Sequence, residues 1–408
     1  MELRIDRDRL SRELDSLGAI SAEPAPVVTR VVYTEADLRA RRFVRDLCVE
    51  AGLAVREDPV GNTFARWEGF NPSLPAVATG SHIDAIPNAG RFDGTVGVLG
   101  GLEAIRALQR AGLTPRRSIE LVIFTSEEPT RFGIGCFGSR MLAGANMGAL
   151  RDAEGRTLDE VRSAAGFTGA LSDVPLPKGF YSAFVELHIE QGPILEETGL
   201  DVGIVTAIAA PATLRIEIEG EGGHAGAVLM PQRRDAFLTA AEIALAVEHA
   251  AKSTGAPDTV GTTGICDIFP RAVNSIPSRA RMDIDVRDID GRRRDAVLDA
   301  INAAAEKIAA RRGVSLRREV LNADPPAVCH SVVIDALERA CQTQGASYQM
   351  MISRAYHDSL FMSLIAPVAM LFIPCRGGVS HRPDEYSSPE AIAKGALVLA
   401  EALRGLAE

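Results

Sequence analysis

No two cysteines of this chain stand in a C-x-x-C spacing. Its six, Cys48, Cys136, Cys266, Cys329, Cys341 and Cys375, are scattered along 408 residues. That excludes a zinc ribbon and leaves no disulfide framework to read. Positive charge is not in excess either. The net charge is −10 and the isoelectric point near 5.4, so neither nucleic acid nor a membrane surface is an expected partner. An anionic substrate would need a local positive site, because the overall field repels it. No apolar run reaches the length of a membrane span. The start, Met1 to Arg9, is too charged for a signal peptide. There is no internal repeat and no low-complexity segment. These absences point to a soluble protein of a reducing compartment, the cytoplasm.

What is present is globular. The apolar fraction of 46% and charged fraction of 24% are ordinary for a folded chain, and the length allows two or three domains. Helical periodicity is expected over residues 5–17, 35–51 and 96–111. Ala76 to Gly80, Ile119 to Thr125, Ala183 to His188 and Val368 to Pro374 are short apolar runs that read as buried strands. Their alternation with helices predicts an α/β domain with a mixed sheet flanked by helices. The middle of the chain differs. Residues 212–219 and 280–287 alternate apolar with polar, while 235–252 and 289–312 are helical. This β-α-β-α pattern predicts an inserted α+β domain with one solvated sheet face, over residues 211–322, interrupting a first domain of 1–210 and 323–408.

The seven histidines are individually uninformative, but His82, His188 and His381 follow or lie within expected strand ends, where open α/β sheets gather ligands. Gly80-Ser81-His82-Ile83-Asp84 sets a carboxylate two residues after an imidazole, the pattern of a ligand oriented by a supporting group. Asp93 follows in a glycine-flanked loop before a helix. Taken alone, it could equally be a helix N-cap. Thr125-Ser126-Glu127-Glu128-Pro129 places two repelling carboxylates at a strand end, an arrangement a cation would compensate. One glutamate can bind metal while the other takes a proton from water. An acidic helix start is the alternative. Glu186-Leu187-His188-Ile189-Glu190-Gln191 and Ser380-His381-Arg382-Pro383-Asp384-Glu385 each place a histidine near two carboxylates. The donors are nitrogen and oxygen without thiolate, a set suited to Zn²⁺, Mn²⁺ or Co²⁺.

In this order the motifs resemble the amidase branch of the M20 di-metal peptidases, over nearly the whole chain. The resemblance implies two divalent metal ions per chain. His82 and His188 would hold one, Glu128 and His381 the other, and Asp93 would bridge them. Glu127 would be the general base and Asp84 would support His82. Within the branch, Val205 to Pro211, Gly222 to Pro231, Ser353 to Ser359 and Ser380 to Glu390 are most similar to the ureidoglycolate amidohydrolases. Ala227, Val228 and Leu229, and then Arg354 and Tyr356, depart from the carbamoylase pattern.

The inserted domain would then be a lid and homodimerisation domain, with His224, Asn274 and Arg287 at substrate-contacting positions. Arg287 ends an alternating strand and has the fork to hold a carboxylate. Asn274 lies in a turn before Ile276 and Pro277. His224, in a glycine-rich loop, has a donor for an oxyanion. Without the resemblance these three read as an exposed strand arginine, a turn asparagine and a solvent-facing histidine. Gln191, Tyr356 and His357 are further substrate-site candidates. His249 and His330 read as structural, and the cysteines have no role. The implied activity is cleavage of a ureido C–N bond in a small ureido carboxylate, with (S)-ureidoglycolate as the first expectation. N-carbamoyl-L-amino acids or allantoate are the alternatives, and a di-metal carboxypeptidase stands behind them. An inactive binding protein on the same fold would show a lost ligand or a lost base, and none is missing.

Overall fold

The computed structural model describes residues 2–408. The chain forms two compact units, one of residues up to Ala207 together with Cys329–Glu408, the other of Ile208–Val328.

In the first unit the apolar runs become the strands of one mixed sheet. Its centre is four parallel strands in the order Val368–Ile373, Tyr181–Ile189, Ala76–His82, Ile119–Phe124. Every residue of Ala76–His82, Ile119–Phe124 and Val368–Ile373 is buried, as expected of strands covered on both faces. Antiparallel strands flank the centre. Val202–Ile208 lies beside Val368–Ile373, and Thr63–Trp67 followed by Ala54–Glu57 lies beyond Ile119–Phe124. The helices Thr95–Arg110 and Pro389–Leu406 pack together and against the central strands. The helix Glu35–Glu50 starts at Thr34, whose hydroxyl accepts from the Asp37 amide. No described helix is long and apolar enough to cross a membrane.

The second unit holds an antiparallel sheet in the order Val260–Phe269, Arg279–Asp288, Ala210–Glu219, Ser315–Ala323. Leu214, Ile216, Ile218, Met282, Ile284 and Val286 form a core with the helices Ala236–Ser253 and Gly291–Arg312. The opposite face carries the Arg215–Asp283 pair, two bonds of 2.8 Å. The β-α-β-α expectation for this region is too sparse, since it omits Val260–Phe269 and Ser315–Ala323. Both are edge strands with mostly exposed residues, so neither shows the alternation that revealed the two central strands.

Candidate metal centre and active site

The parallel strands bring three of the sequence motifs together at their carboxyl ends. His82 ends its strand and is in register with Phe124, after which the chain turns into Glu127 and Glu128. His188 lies next to the last residue of Tyr181–Ile189, in register with Phe372. His381 departs from expectation. It sits in a loop beyond the turn Arg376–Gly378 rather than at a strand end. Ser126, Gln191 and His381 have φ of 56°, 56° and 59°. Left-handed backbone is uncommon outside glycine and concentrates where function fixes the geometry.

The central residue is Asp93, nearly buried in the loop ahead of Thr95–Arg110. Its Oδ1 lies 3.4 Å from His82 Nε2 and 3.2 Å from His188 Nε2. Its Oδ2 lies 3.4 Å from His381 Nε2, which is itself 3.1 Å from Glu128 Oε1. Two groups of potential ligands thus meet at one carboxylate: His82, Asp93 and His188, and Asp93, Glu128 and His381. The two buried imidazoles are oriented through their Nδ1 atoms. His188 Nδ1 lies 2.9 Å from the Ile189 carbonyl and His82 Nδ1 3.1 Å from the Asp84 carbonyl. A carbonyl oxygen only accepts, so both Nδ1 atoms donate, and each Nε2 is turned toward Asp93, where a cation would displace the proton the two share. These donors suit a divalent cation. Gly94, at φ 65°, allows this packing, since a Cβ there would stand 2.5 Å from His82 Nε2.

Asp84 does more than support His82, and does that chiefly through its backbone. Its carboxylate, 3.5 Å from His82 Nδ1, accepts from the amides of Glu127 and Glu128 at 3.1 Å each. One side chain thus fixes the segment that carries both glutamates. Glu127 turns Oε2 toward His82 Nε2 at 3.8 Å, while Oε1 accepts from the Cys136 thiol at 3.3 Å. Sequence reasoning gave Cys136 no role, and nothing in its spacing signals this contact.

The electrostatics follow from burial. Burial pushes Glu127 well above the usual carboxylate range, with His82 opposing and the charges of Glu128, Asp358 and Asp93 adding to it. Burial also disfavours the charge on Asp93, but its contacts with His188, His381 and His82 outweigh that and hold it well below its ordinary value. Contacts with Asp93 and Glu128 raise His381 to about 11. A cation would take the place of these protons.

The other candidates fall in several places. Gln191 donates Nε2 to Asp93 Oδ2 at 2.6 Å, and its Oε1 is buried without a partner. His357 is buried, stands edge-on to His188 with ring centroids 4.5 Å apart, and has no partner at Nε2. Burial lowers its pKa well below the ordinary value. The Tyr356 hydroxyl accepts from Arg140 at 2.8 Å. In the second unit, His224 is in a short antiparallel pairing rather than a free loop. Gly223–His224 pairs with Ser275–Ile276, and the Asn274 carbonyl accepts from the Ala225 amide. His224 and Asn274 are thereby neighbours, whereas Arg287 pairs with Asp285 at 2.8 Å. His330 caps the helix Ser331–Thr343, accepting from the Val332 amide.

Several supporting groups were quoted in motifs without an assigned role. Glu186 accepts from the Ser81 hydroxyl at 2.8 Å and from the Ser359 amide and hydroxyl at 3.0 and 2.6 Å. Asp358 accepts from Ser139 at 2.6 Å. Glu385 and Ser380 lie against Asp93.

The pattern of peptidase family M20/M25/M40 matches residues 78–405. The ureidoglycolate hydrolase of Arabidopsis thaliana is 54% identical, over 99% of this chain and 87% of its own. The N-carbamoyl-L-amino acid amidohydrolase of Geobacillus stearothermophilus is 41% identical, over 99% of each chain. The crystal structure of AtUAH in complex with glyoxylate superposes with a TM-score of 0.92 at 53% identity, covering 99% of this chain and 98% of that one.

Proposed function

The chain belongs to peptidase family M20/M25/M40, and from that premise we propose that it hydrolyses the ureido C–N bond of (S)-ureidoglycolate with one water, the carbamoyl part leaving as carbon dioxide and one ammonia and the remaining hydroxyglycine eliminating a second ammonia to give glyoxylate. The observation that carries this reading is the pair of ligand groups joined at Asp93 with Glu127 alongside. The substrate rests on likeness to the ureidoglycolate hydrolase of Arabidopsis thaliana along nearly the whole chain.

The proposed ligands are His82 and His188 for one ion, Glu128 and His381 for the other, and Asp93 for both. Mn²⁺ or Zn²⁺ suits the donors, and Co²⁺ is a further candidate. Two such cations, when bound, polarise the ureido carbonyl and lower the pKa of water from about 16 toward about 7. Glu127 takes the proton of the attacking water and returns it to the departing nitrogen. Asp84 keeps the base in place through the two amides it accepts. Arg287 is proposed to hold the substrate carboxylate, His224 to donate to the developing oxyanion and Asn274 to meet the ureido group. Gln191, Tyr356 and His357 complete the proposed recognition set. The buried, unpartnered Gln191 Oε1 and His357 Nε2 are consistent with this, since such atoms call for a partner.

We also propose a homodimer through the inserted unit, acting as a lid, and a cytoplasmic setting. Phe237 and Leu245 on one helix and Ile265 and Phe269 on an edge strand are exposed apolar residues of that unit. An N-carbamoyl-L-amino acid hydrolase is the second reading, favoured by the 41% identity of the Geobacillus relative, and allantoate hydrolysis is a variant of it. Ammonia release with added Mn²⁺ should be measured in parallel on ureidoglycolate, allantoate and several N-carbamoyl amino acids. Ureidoglycolate should give the highest kcat/KM. A higher value on an N-carbamoyl amino acid would move the protein to the second reading.

A further inference from the structure

We infer that Glu385 and Ser380 form a latch that sets the orientation of Asp93, making Glu385 a positioning residue for both ligand groups. The inference rests on the proposed role of Asp93 as a shared ligand. A shared carboxylate must offer one oxygen to each side, and Asp93 sits on a loop, where neither its backbone nor its side chain is fixed by a helix or strand. Supporting groups have to supply that order.

Glu385 is 4% exposed and, among the described residues, forms no ion pair with a cationic side chain. Its hydrogen bonds go to the Asp93 loop instead. Oε1 accepts from two consecutive amides, Phe92 at 2.7 Å and Asp93 at 3.0 Å. Oε2 lies 3.0 Å from the Ser380 hydroxyl, which in turn is 2.6 Å from Asp93 Oδ2. The carboxylate thus holds the backbone of Asp93 directly and reaches its side chain through one serine, beside the bond from Gln191 Nε2 to the same Oδ2. Ser380 and Glu385 also bracket His381, so the same contacts couple the loop that carries Asp93 to the loop that carries the imidazole facing it. Residue 90 has to be glycine for the loops to close. A Cβ there would lie 2.4 Å from Glu385 Cβ and 2.5 Å from its Oε1. Burying a carboxylate is costly, and the two backbone amides at Oε1 offset that cost, while the single Ser380 proton lies between Glu385 Oε2 and the nearer Asp93 Oδ2.

The test is Mn²⁺ binding to metal-stripped protein, measured by competition with a chelator, alongside the melting temperature of each metal-stripped variant. Glu385→Ala should weaken Mn²⁺ binding by about 10–100-fold, the usual effect of removing a group that orients a ligand. Ser380→Ala should weaken it in the same direction by less. Glu385→Gln should recover most of the loss, because its amide oxygen still accepts from both backbone amides and its nitrogen donates to Ser380. Unchanged Mn²⁺ affinity in a folded Glu385→Ala variant overturns the inference. So does a drop in melting temperature without a change in affinity. Where Glu385→Ala does not fold, Ser380→Ala decides in the same way, since it removes only a hydroxyl. Asp93→Ala is measured beside them. If it retains Mn²⁺ fully, the reading of Asp93 as a ligand fails. If it loses Mn²⁺ while the Glu385 and Ser380 variants do not, only the latch fails.

Discussion

Glu127→Gln should retain its metal and lose about 10²–10⁴-fold in kcat, the usual share of general acid–base catalysis. Glu127 is not counted among either ligand group, and its Oε2 is 3.8 Å from His82 Nε2. Its neighbour Glu128 instead meets His381 at 3.1 Å. In the proposed reading two adjacent glutamates divide the work, Glu128 as a ligand and Glu127 as the group that moves a proton. The amide keeps the shape of the side chain, so the Cys136 contact and the backbone amide bonds to Asp84 can persist. What is lost is the ability to accept a proton. KM should change much less than kcat, because the missing interaction belongs to the chemical step. Near-normal turnover in the metal-loaded variant would remove Glu127 from the mechanism. Loss of metal would make it a ligand.

Asp93→Ala should be the most damaging change at the ligands, with both ions lost and activity reduced beyond the about 10–100-fold typical of supporting residues. The reason is that its two oxygens face different groups, Oδ1 toward His82 and His188 and Oδ2 toward His381. His381→Ala removes a donor from one group only, so it should leave roughly one ion in place. Elemental analysis of the two variants separates these outcomes. Equal and full occupancy in both would contradict the shared-ligand geometry.

Much of this arrangement was legible in the sequence because metal chemistry restricts residue types and strands restrict their placement. The strands Ala76–His82, Ile119–Phe124 and Val368–Ile373 were readable from the continuous apolar character of 76–80, 119–125 and 368–374, and the inserted unit from its change to alternation. The edge strands Val260–Phe269 and Ser315–Ala323 were not, since mostly exposed edges carry no periodic signal. Spacing suggested that Asp84 supports His82, but it could not show the carboxylate turning to the Glu127 and Glu128 amides. The Cys136 thiol against Glu127 and the Glu385 contacts with the Asp93 loop join residues from different segments of the chain. Such contacts are fixed by the fold, and no local pattern announces them. His381 illustrates the same limit, because its place among nitrogen and oxygen donors was readable while its left-handed loop position was not.

The most direct test of the account is to strip the protein of metal, add Mn²⁺ back in steps, and record ions bound per chain together with glyoxylate formed from ureidoglycolate. The two ligand groups at Asp93 predict that turnover is absent without metal, rises with added Mn²⁺ and levels off at two ions per chain. Full turnover in the stripped protein, or a protein saturated with two ions that forms no glyoxylate, would contradict it.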